Sequence, residues 1–416
     1  MLDQPVQPSL SALESYRQAL IALEQEAQLR RCRTVEPLLQ PEDTSLSFDS
    51  PALVRVNGQE AVNFSGNDYL GLSHDARLKT AAIRAIEQYG TGTGASRLVS
   101  GTNPLVITLE AELARFKQTE AALVFNSGYQ ANISILPALL KLGDWVFADR
   151  LNHASLVDGC LLSGARWTRY AHLDLENLET RLKKVPQSAR KWIVTDSAFS
   201  MDGDYPDLVA LCDLAERYGA LVMVDEAHAT GLYGERHSSG LCEHFGVSHR
   251  VALQMGTFSK ALGGSGAYVA GSRVLIDTLI NRARGFIYST ALPPAVLASA
   301  QAAIALVQDD PHPKANLWRN VAHFEQLARA VQLFREGPDH LLQPLHSPII
   351  PIPIGKSGAA LEVSQALLDA GYFVQAIRPP TVPAGTDRLR LALSAIHTPS
   401  QIEGLVQALS QIMPAR

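Results

Sequence analysis

Between Gly71 and Ala300 the chain returns repeatedly to one pattern: a short apolar run, a turn of small and polar residues, then an amphipathic stretch. Strands are expected at Ala122–Phe125, Trp145–Ala148, Trp192–Thr195, Leu221–Val224, Val251–Met255 and Ala267–Ala270. Helices between them include Leu105–Lys117 and Asp207–Tyr218. Strands that read as unbroken apolar runs are buried on both faces, and their alternation with helices predicts an α/β fold with a mostly parallel central sheet. In open sheets of this kind, ligands collect beyond the carboxyl ends of the strands. The residues that follow each apolar run are therefore where chemistry is to be sought.

The flanks read differently. Leu13, Leu20, Leu23, Ala27 and Leu29 recur near helical spacing, so one amphipathic helix is expected over Leu10–Arg33. Arg30, Arg31 and Arg33 close it, where cations suit the helix dipole or meet an anionic ligand. From Thr44 to Asn63 short strands are expected, with Asn57-Gly58 as a hairpin turn. After Leu292-Pro293-Pro294 come long helical segments, beginning with Ala295–Val307 as a joint. A smaller α+β pattern follows, with strands near Ile349–Ile354 and Leu389–Leu393. The expected division is an N-terminal helix with short strands over 1–62, a large domain over 63–300 and a small C-terminal domain over 301–416.

Composition removes several classes of function. Lys and Arg number 36 against 41 Asp and Glu, a net charge of −5, which argues against nucleic acid as the main partner. The longest apolar runs, such as Ile349–Ile354, fall far short of the roughly 18 residues a membrane helix needs. Met1–Leu10 has neither a basic start nor an apolar stretch of the kind a secretory signal carries, so a cytoplasmic protein is expected. The four cysteines are scattered without a CxxC pair; they are expected to be reduced thiols, and no metal site is expected.

The turns after the strands carry the chemistry. Leu221–Val224 delivers Asp225, with His228 three residues on, and a carboxylate at the end of a buried strand costs energy unless paired. The segment from Gly256 to Gly266 holds a single lysine, Lys260, among small residues. Together these are the equipment for pyridoxal 5'-phosphate (PLP): a lysine to bond the cofactor aldehyde, an acid to keep the ring nitrogen protonated, and small residues that admit the phosphate. Asn126–Asn132 offers backbone N–H groups at a helix start, His153 follows another strand, and Phe199–Asp204 brings a hydroxyl and carboxylates. The glycines of Gly90–Arg97 follow no strand and lack GxGxxG spacing, so they read as a loop needing positive φ, not as a dinucleotide site.

Asn63–Leu72, Gly128-Tyr129, Asn152–Ser155, Phe199–Asp204, Asp225–His228 and Thr257–Lys260 together resemble, in order, the α-oxoamine synthases, which are fold-type I, aminotransferase-like PLP enzymes. That resemblance implies a large PLP-binding domain and a smaller C-terminal α+β domain in a homodimer with shared active sites. It makes Lys260 the cofactor-linked acid/base, Asp225 the partner of the ring nitrogen and His153 the ring-stacking group. It places His228 and Ser200 at the phenolic oxygen, and Gly128, Tyr129 and Thr257 around the cofactor, with Thr290 reaching its phosphate from a neighbouring subunit. Arg390 would hold the amino-acid carboxylate, while Arg30, Arg378 and Thr381 would face substrate.

Arg378–Pro383 followed by Arg388-Leu389-Arg390 looks most like the biotin-pathway branch of the family. That branch joins L-alanine to a pimeloyl thioester of coenzyme A or acyl carrier protein, with loss of CO2. Branches of the glycine acetyltransferase, 5-aminolevulinate synthase and serine palmitoyltransferase types share the core motifs. A catalytically silent partner subunit is the reading from another class, and it would have no physical need for Lys260, Asp225 and His153.

Overall fold

The computed structural model describes residues 10–38, 52–333 and 347–413. Its centre is a seven-stranded sheet. The strands run in the order Ala121–Phe125, Ala267–Gly271, Leu253–Thr257, Ala220–Asp225, Lys191–Asp196, Trp145–Asp149, Arg166–Tyr170. Ala267–Gly271 is antiparallel to both its neighbours, and the other pairings are parallel. Side chains alternate between the two faces, as a strand's period of two requires. Along Ala220–Asp225, Val222 and Val224 enter one core and Met223 the other. Each such fully buried side chain stabilises by about 1.5–3 kcal/mol, so six apolar strands in one sheet fix the scaffold firmly.

The helices start where the sequence supplies caps. Asn103 accepts from Val106 N ahead of Pro104–Phe116, and Asp207 accepts from Ala210 N ahead of Leu208–Tyr218. Gly128–Leu139 and Ala154–Leu162 pack together on one face of the sheet. Pro294–Asp309 packs on Ala76–Tyr89. Toward the C-terminus, Ile349–Pro353, Arg388–Ala392 and Gln375–Ile377 form a three-stranded antiparallel sheet in that order. Asn57 and Gly58, at φ 48° and 93°, turn the hairpin between Leu53–Val56 and Gln59–Asn63. Gln59–Asn63 also pairs in parallel with Tyr372–Phe373, so one sheet joins the two ends of the chain. Gly90 and Gly94 do take positive φ, 79° and 68°.

Three expectations need correction or limits. The N-terminal helix spans Leu10–Gln25 and stops short of Arg33. Ala27 adopts φ 54°, and the carbonyls of Ala27 and Leu29 are taken by the Arg378 guanidinium, so the chain leaves the helix before the arginines begin. Arg30, Arg31 and Arg33 therefore do not close that helix. An unforeseen edge strand, Arg166–Tyr170, completes the sheet. Its exposed residues are Arg166, over the Trp145 ring, and Arg169, over that of Trp167, which break the apolar run that marks a buried strand. Of the strands expected from Thr44 to Asn63, the portion over 44–51 lies outside the described residues.

Candidate active site

Asp196 and Asp225 end adjacent parallel strands as direct Cα partners. Both are buried. Asn132 Nδ2 donates to Asp225 Oδ2 at 2.8 Å and Ala227 N to Oδ1 at 2.9 Å, which holds the carboxylate's plane. Asp196 accepts from His153 N at 2.8 Å. Burial, then the charge of Asp225, pushes the Asp196 carboxyl well above the usual carboxylate range.

Lys260 lies in the loop between strands Leu253–Thr257 and Ala267–Gly271. The loop is closed by Thr257 Oγ1, which donates to Gly266 O at 2.8 Å and pairs with Ser259 Oγ at 2.7 Å. Gly263, at φ 63°, lets it pass where a Cβ would stand 2.5 Å from the backbone of Leu72 and Ser73. Burial lowers the Lys260 amine, the charges of Asp225 and Asp196 pull it back up, and Arg390 lowers it further; the net direction is down. A depressed amine is the activated form for attack on a carbonyl.

Four side chains meet on the far side. Tyr69 OH bonds His228 Nδ1 at 2.7 Å and Asn67 Oδ1 at 3.1 Å. Arg390 Nη2 donates to Asn67 Oδ1 at 2.9 Å and to Tyr69 OH at 3.1 Å, and its Nε donates to Ser200 O at 2.5 Å. Burial, with the charges of Lys260, Arg390 and His153, holds the His228 imidazole well below its usual value, so it is neutral. His153 caps helix Ala154–Leu162, sharing a hydrogen with Ser155 Oγ at 2.7 Å, and its ring is lowered by burial and by Lys260 while Asp225 and Asp158 raise it.

The remaining predicted residues fall in two places. Gly128 and Tyr129 open helix Gly128–Leu139 directly after strand Ala121–Phe125, and a Cβ at Gly128 would meet only Met255 Cε at 3.6 Å. The Tyr129 hydroxyl is turned to Asp158 at the surface, leaving its backbone N–H at the helix start. Thr290 is exposed, with its carbonyl held by Asn126 Nδ2 at 2.8 Å. Arg30, Arg378 and Thr381 share a separate groove of about 530 Å³ with Arg31, Arg33 and Gln375. Arg30 donates to Pro379 O at 2.8 Å, whereas Arg378 is spent on the carbonyls of Ala27 and Leu29.

Asn132, Asp196, Asn67 and Tyr69 had no role in the sequence reading. Asn67 and Tyr69 stand inside a motif whose spacing gave no hint of Arg390, 321 residues away from Tyr69. Asp196 lies one residue past the strand expected to end at Thr195.

The buried site suits PLP. Asn132 Oδ1 is buried with no hydrogen-bond partner, and Asp225 ends its strand with no ion pair among the described residues. A protonated ring nitrogen answers the second of these needs, and Lys260 supplies an amine for the aldehyde.

The comparisons agree with this chemistry. Residues 59–409 match the model of the aminotransferase class I and II family. An 8-amino-7-oxononanoate synthase of Geobacter sulfurreducens is 53% identical over 86% of this chain and 90% of its own length. One from Anaeromyxobacter dehalogenans is 48% identical over 87% and 89%. Among solved structures, a serine palmitoyltransferase from S. paucimobilis with bound PLP–myriocin aldimine superposes with a TM-score of 0.87 at 29% identity, covering 98% of both chains. An 8-amino-7-oxononanoate synthase from Francisella tularensis gives 0.72 at 29% identity, covering 84% of this chain and 97% of its own. The chain belongs to the aminotransferase class I and II family and, within it, to the PLP-dependent α-oxoamine synthases.

Proposed function

We propose that the enzyme condenses L-alanine with a pimeloyl thioester to give 8-amino-7-oxononanoate, CO2 and the free thiol carrier. When bound, PLP supplies an electron sink for charge developing at the alanine Cα. Arg390, braced by Asn67, Tyr69 and Ser200, receives the alanine carboxylate. Lys260 takes the Cα proton, and burial shifts its amine toward the neutral form that a base requires. Asp225, aligned by Asn132, holds the proton on the cofactor's ring nitrogen. His153, beside Asp225 and Lys260, would hold the ring's face, and His228 and Ser200 would serve its phenolic oxygen. Gly128, Tyr129 and Thr257 would hold the cofactor, and Thr290 of a second copy would serve its phosphate. The Cα carbon bonds to the thioester carbonyl carbon and the thiolate leaves. Loss of the former alanine carboxylate as CO2 and return of a proton to Cα complete the balance.

The observation that carries the pimeloyl reading is the groove of Arg30, Arg31 and Arg33, because a pimeloyl chain ends in a carboxylate and acetyl or palmitoyl chains do not. Leu98, Val99 and Tyr288 are 55%, 80% and 71% exposed, an apolar surface that favours a homodimer. Among the described residues no helix is long and apolar enough to cross a membrane. The test is a panel of pimeloyl, acetyl, succinyl and palmitoyl thioesters crossed with alanine, glycine and serine. Turnover only with alanine and pimeloyl is expected. Equal use of palmitoyl thioester would remove the biotin-pathway assignment.

A further inference from the structure

His172 lies outside the site just described, yet it is tied to two carboxylates at once. Its Nδ1 is 2.8 Å from Asp149 Oδ1 and its Nε2 is 2.9 Å from Asp204 Oδ2. Both oxygens are acceptors, so both ring nitrogens donate and the imidazole is a cation. The two anchors differ. Asp149 is rigid: it ends a buried strand, is wholly inaccessible, and also accepts from Leu151 N and Leu173 N. Leu173, at φ 56°, turns the chain immediately after His172. Asp204 is the movable anchor. Its side chain is 40% exposed, and its Oδ1 is buried without a partner.

The loop that Asp204 closes is the one on which two arginines rest. Phe199 N donates to Asp204 O at 2.9 Å, and Gly203 N donates to Phe199 O at 2.9 Å. The His172 ring packs edge-on against Phe199, with centroids 4.4 Å apart. From the C-terminal sheet, Arg388 donates to Met201 O and Asp202, and Arg390 donates to Ser200 O. Gly203, at φ 73°, passes so close to Ile349 O that a Cβ would stand 2.2 Å from it. Loop 199–204 is thus the seat where the strand bearing Arg390 meets the large sheet.

We propose that His172 is a positioning residue. By joining Asp149 to Asp204 it fixes loop Phe199–Asp204, and through Ser200 O it sets the placement of Arg390 and hence the site's affinity for the carboxylate of its amino-acid substrate. The proposal rests on the reading of Arg390 as that carboxylate's anchor. A shift on the order of 1 Å in such a donor is enough to cost substantial binding or rate.

The test uses the PLP-loaded enzyme and the variants His172→Gln, Asp204→Asn, their double variant and Arg390→Lys. A glutamine amide reaches one carboxylate and not both. Alanine affinity is read by titration of cofactor absorbance, the KM of the acyl thioester by steady-state kinetics, and loop mobility by hydrogen–deuterium exchange over 199–204. Alanine should bind about tenfold more weakly in His172→Gln, or about 1.4 kcal/mol, with the thioester KM nearly unchanged. The loop should exchange faster, and the double variant should be no worse than the worse single one. If His172→Gln melts far below the parent enzyme, Asp204→Asn, at a partly exposed side chain, carries the same test. Weaker alanine binding in Arg390→Lys, with parental binding in both clamp variants, overturns the His172 proposal alone. Parental alanine binding in Arg390→Lys overturns the anchor reading and the proposal with it.

Discussion

His397 stacks on Phe64, ring centroids 4.0 Å apart, and uses both of its nitrogens as a neutral imidazole must. Nε2 donates to Asn63 O at 2.9 Å and Nδ1 accepts from Ser394 N at 3.0 Å. A second proton at Nδ1 would point at the Ser394 N–H. Burial lowers the imidazole, the Asn63 carbonyl partly offsets it, and the net value is about 4 against an ordinary 6.5. The unfolded chain therefore binds this proton more readily than the native one, so stability is full above pH 6.5 and falls as pH drops toward 4. That difference corresponds to about 3 kcal/mol lost across the window. Urea unfolding of parent and His397→Gln from pH 7 to pH 4 should show a steeper loss of stability in the parent than in the variant. An equal slope in both would refute the assignment.

Lys260→Ala should abolish the absorbance of the lysine-linked cofactor and turnover together. The residue stands in a loop between strands, so the far-UV circular dichroism and the melting of the apoprotein should stay near parental values. Turnover at the parental rate would remove Lys260 from the mechanism.

Asp225→Asn keeps the shape and loses the charge. Asn132 and Ala227 N both donate to Asp225, and an amide can match only part of that pattern. Loss of one charge-assisted contact of roughly 3 kcal/mol slows Cα proton removal on the order of 100-fold. Exchange of the alanine α-hydrogen in D2O, followed by NMR, reads this step apart from acyl transfer. Parental exchange would contradict the role.

Arg30→Ala should raise the KM for pimeloyl thioester several-fold and leave alanine binding alone, the pattern of lost uniform binding. It should also narrow the preference for pimeloyl over heptanoyl thioester, which lacks the distal carboxylate. A KM increase shared by both acyl chains would show that Arg30 acts by holding Pro379 O and not by meeting charge.

Much of the scaffold was legible because buried parallel strands announce themselves. Strands such as Ala121–Phe125 and Ala267–Gly271 are buried throughout, and in the same sheet the apolar runs Leu221–Val224 and Val251–Met255 placed Asp225 at a strand end and Lys260 in the loop beyond one. Arg166–Tyr170 was not legible, since an edge strand can carry exposed arginines in place of an apolar run. The end of the first helix was hidden too, because a residue 351 positions away from Ala27 decides it. Asp196 and Asn132 escaped for a related reason: their importance lies in being next to Asp225 in space. Local pattern reports burial well. It reports nothing about which distant strand end will be the neighbour.

The pairing of Gln59–Asn63 with Tyr372–Phe373 has a consequence for how the chain is made. Ser65 Oγ and Gln375 N, joined just beyond that pairing, are separated by 310 residues. At about 5–20 residues per second on the ribosome, the N-terminal hairpin waits roughly 15–60 s for the segment that completes its sheet. Throughout that interval the parallel edge of Gln59–Asn63 is open, and the hairpin begins its life as an unfinished surface. The last fifth of the polypeptide closes what the first began, so a nascent chain released early would expose the very edge that the finished enzyme conceals.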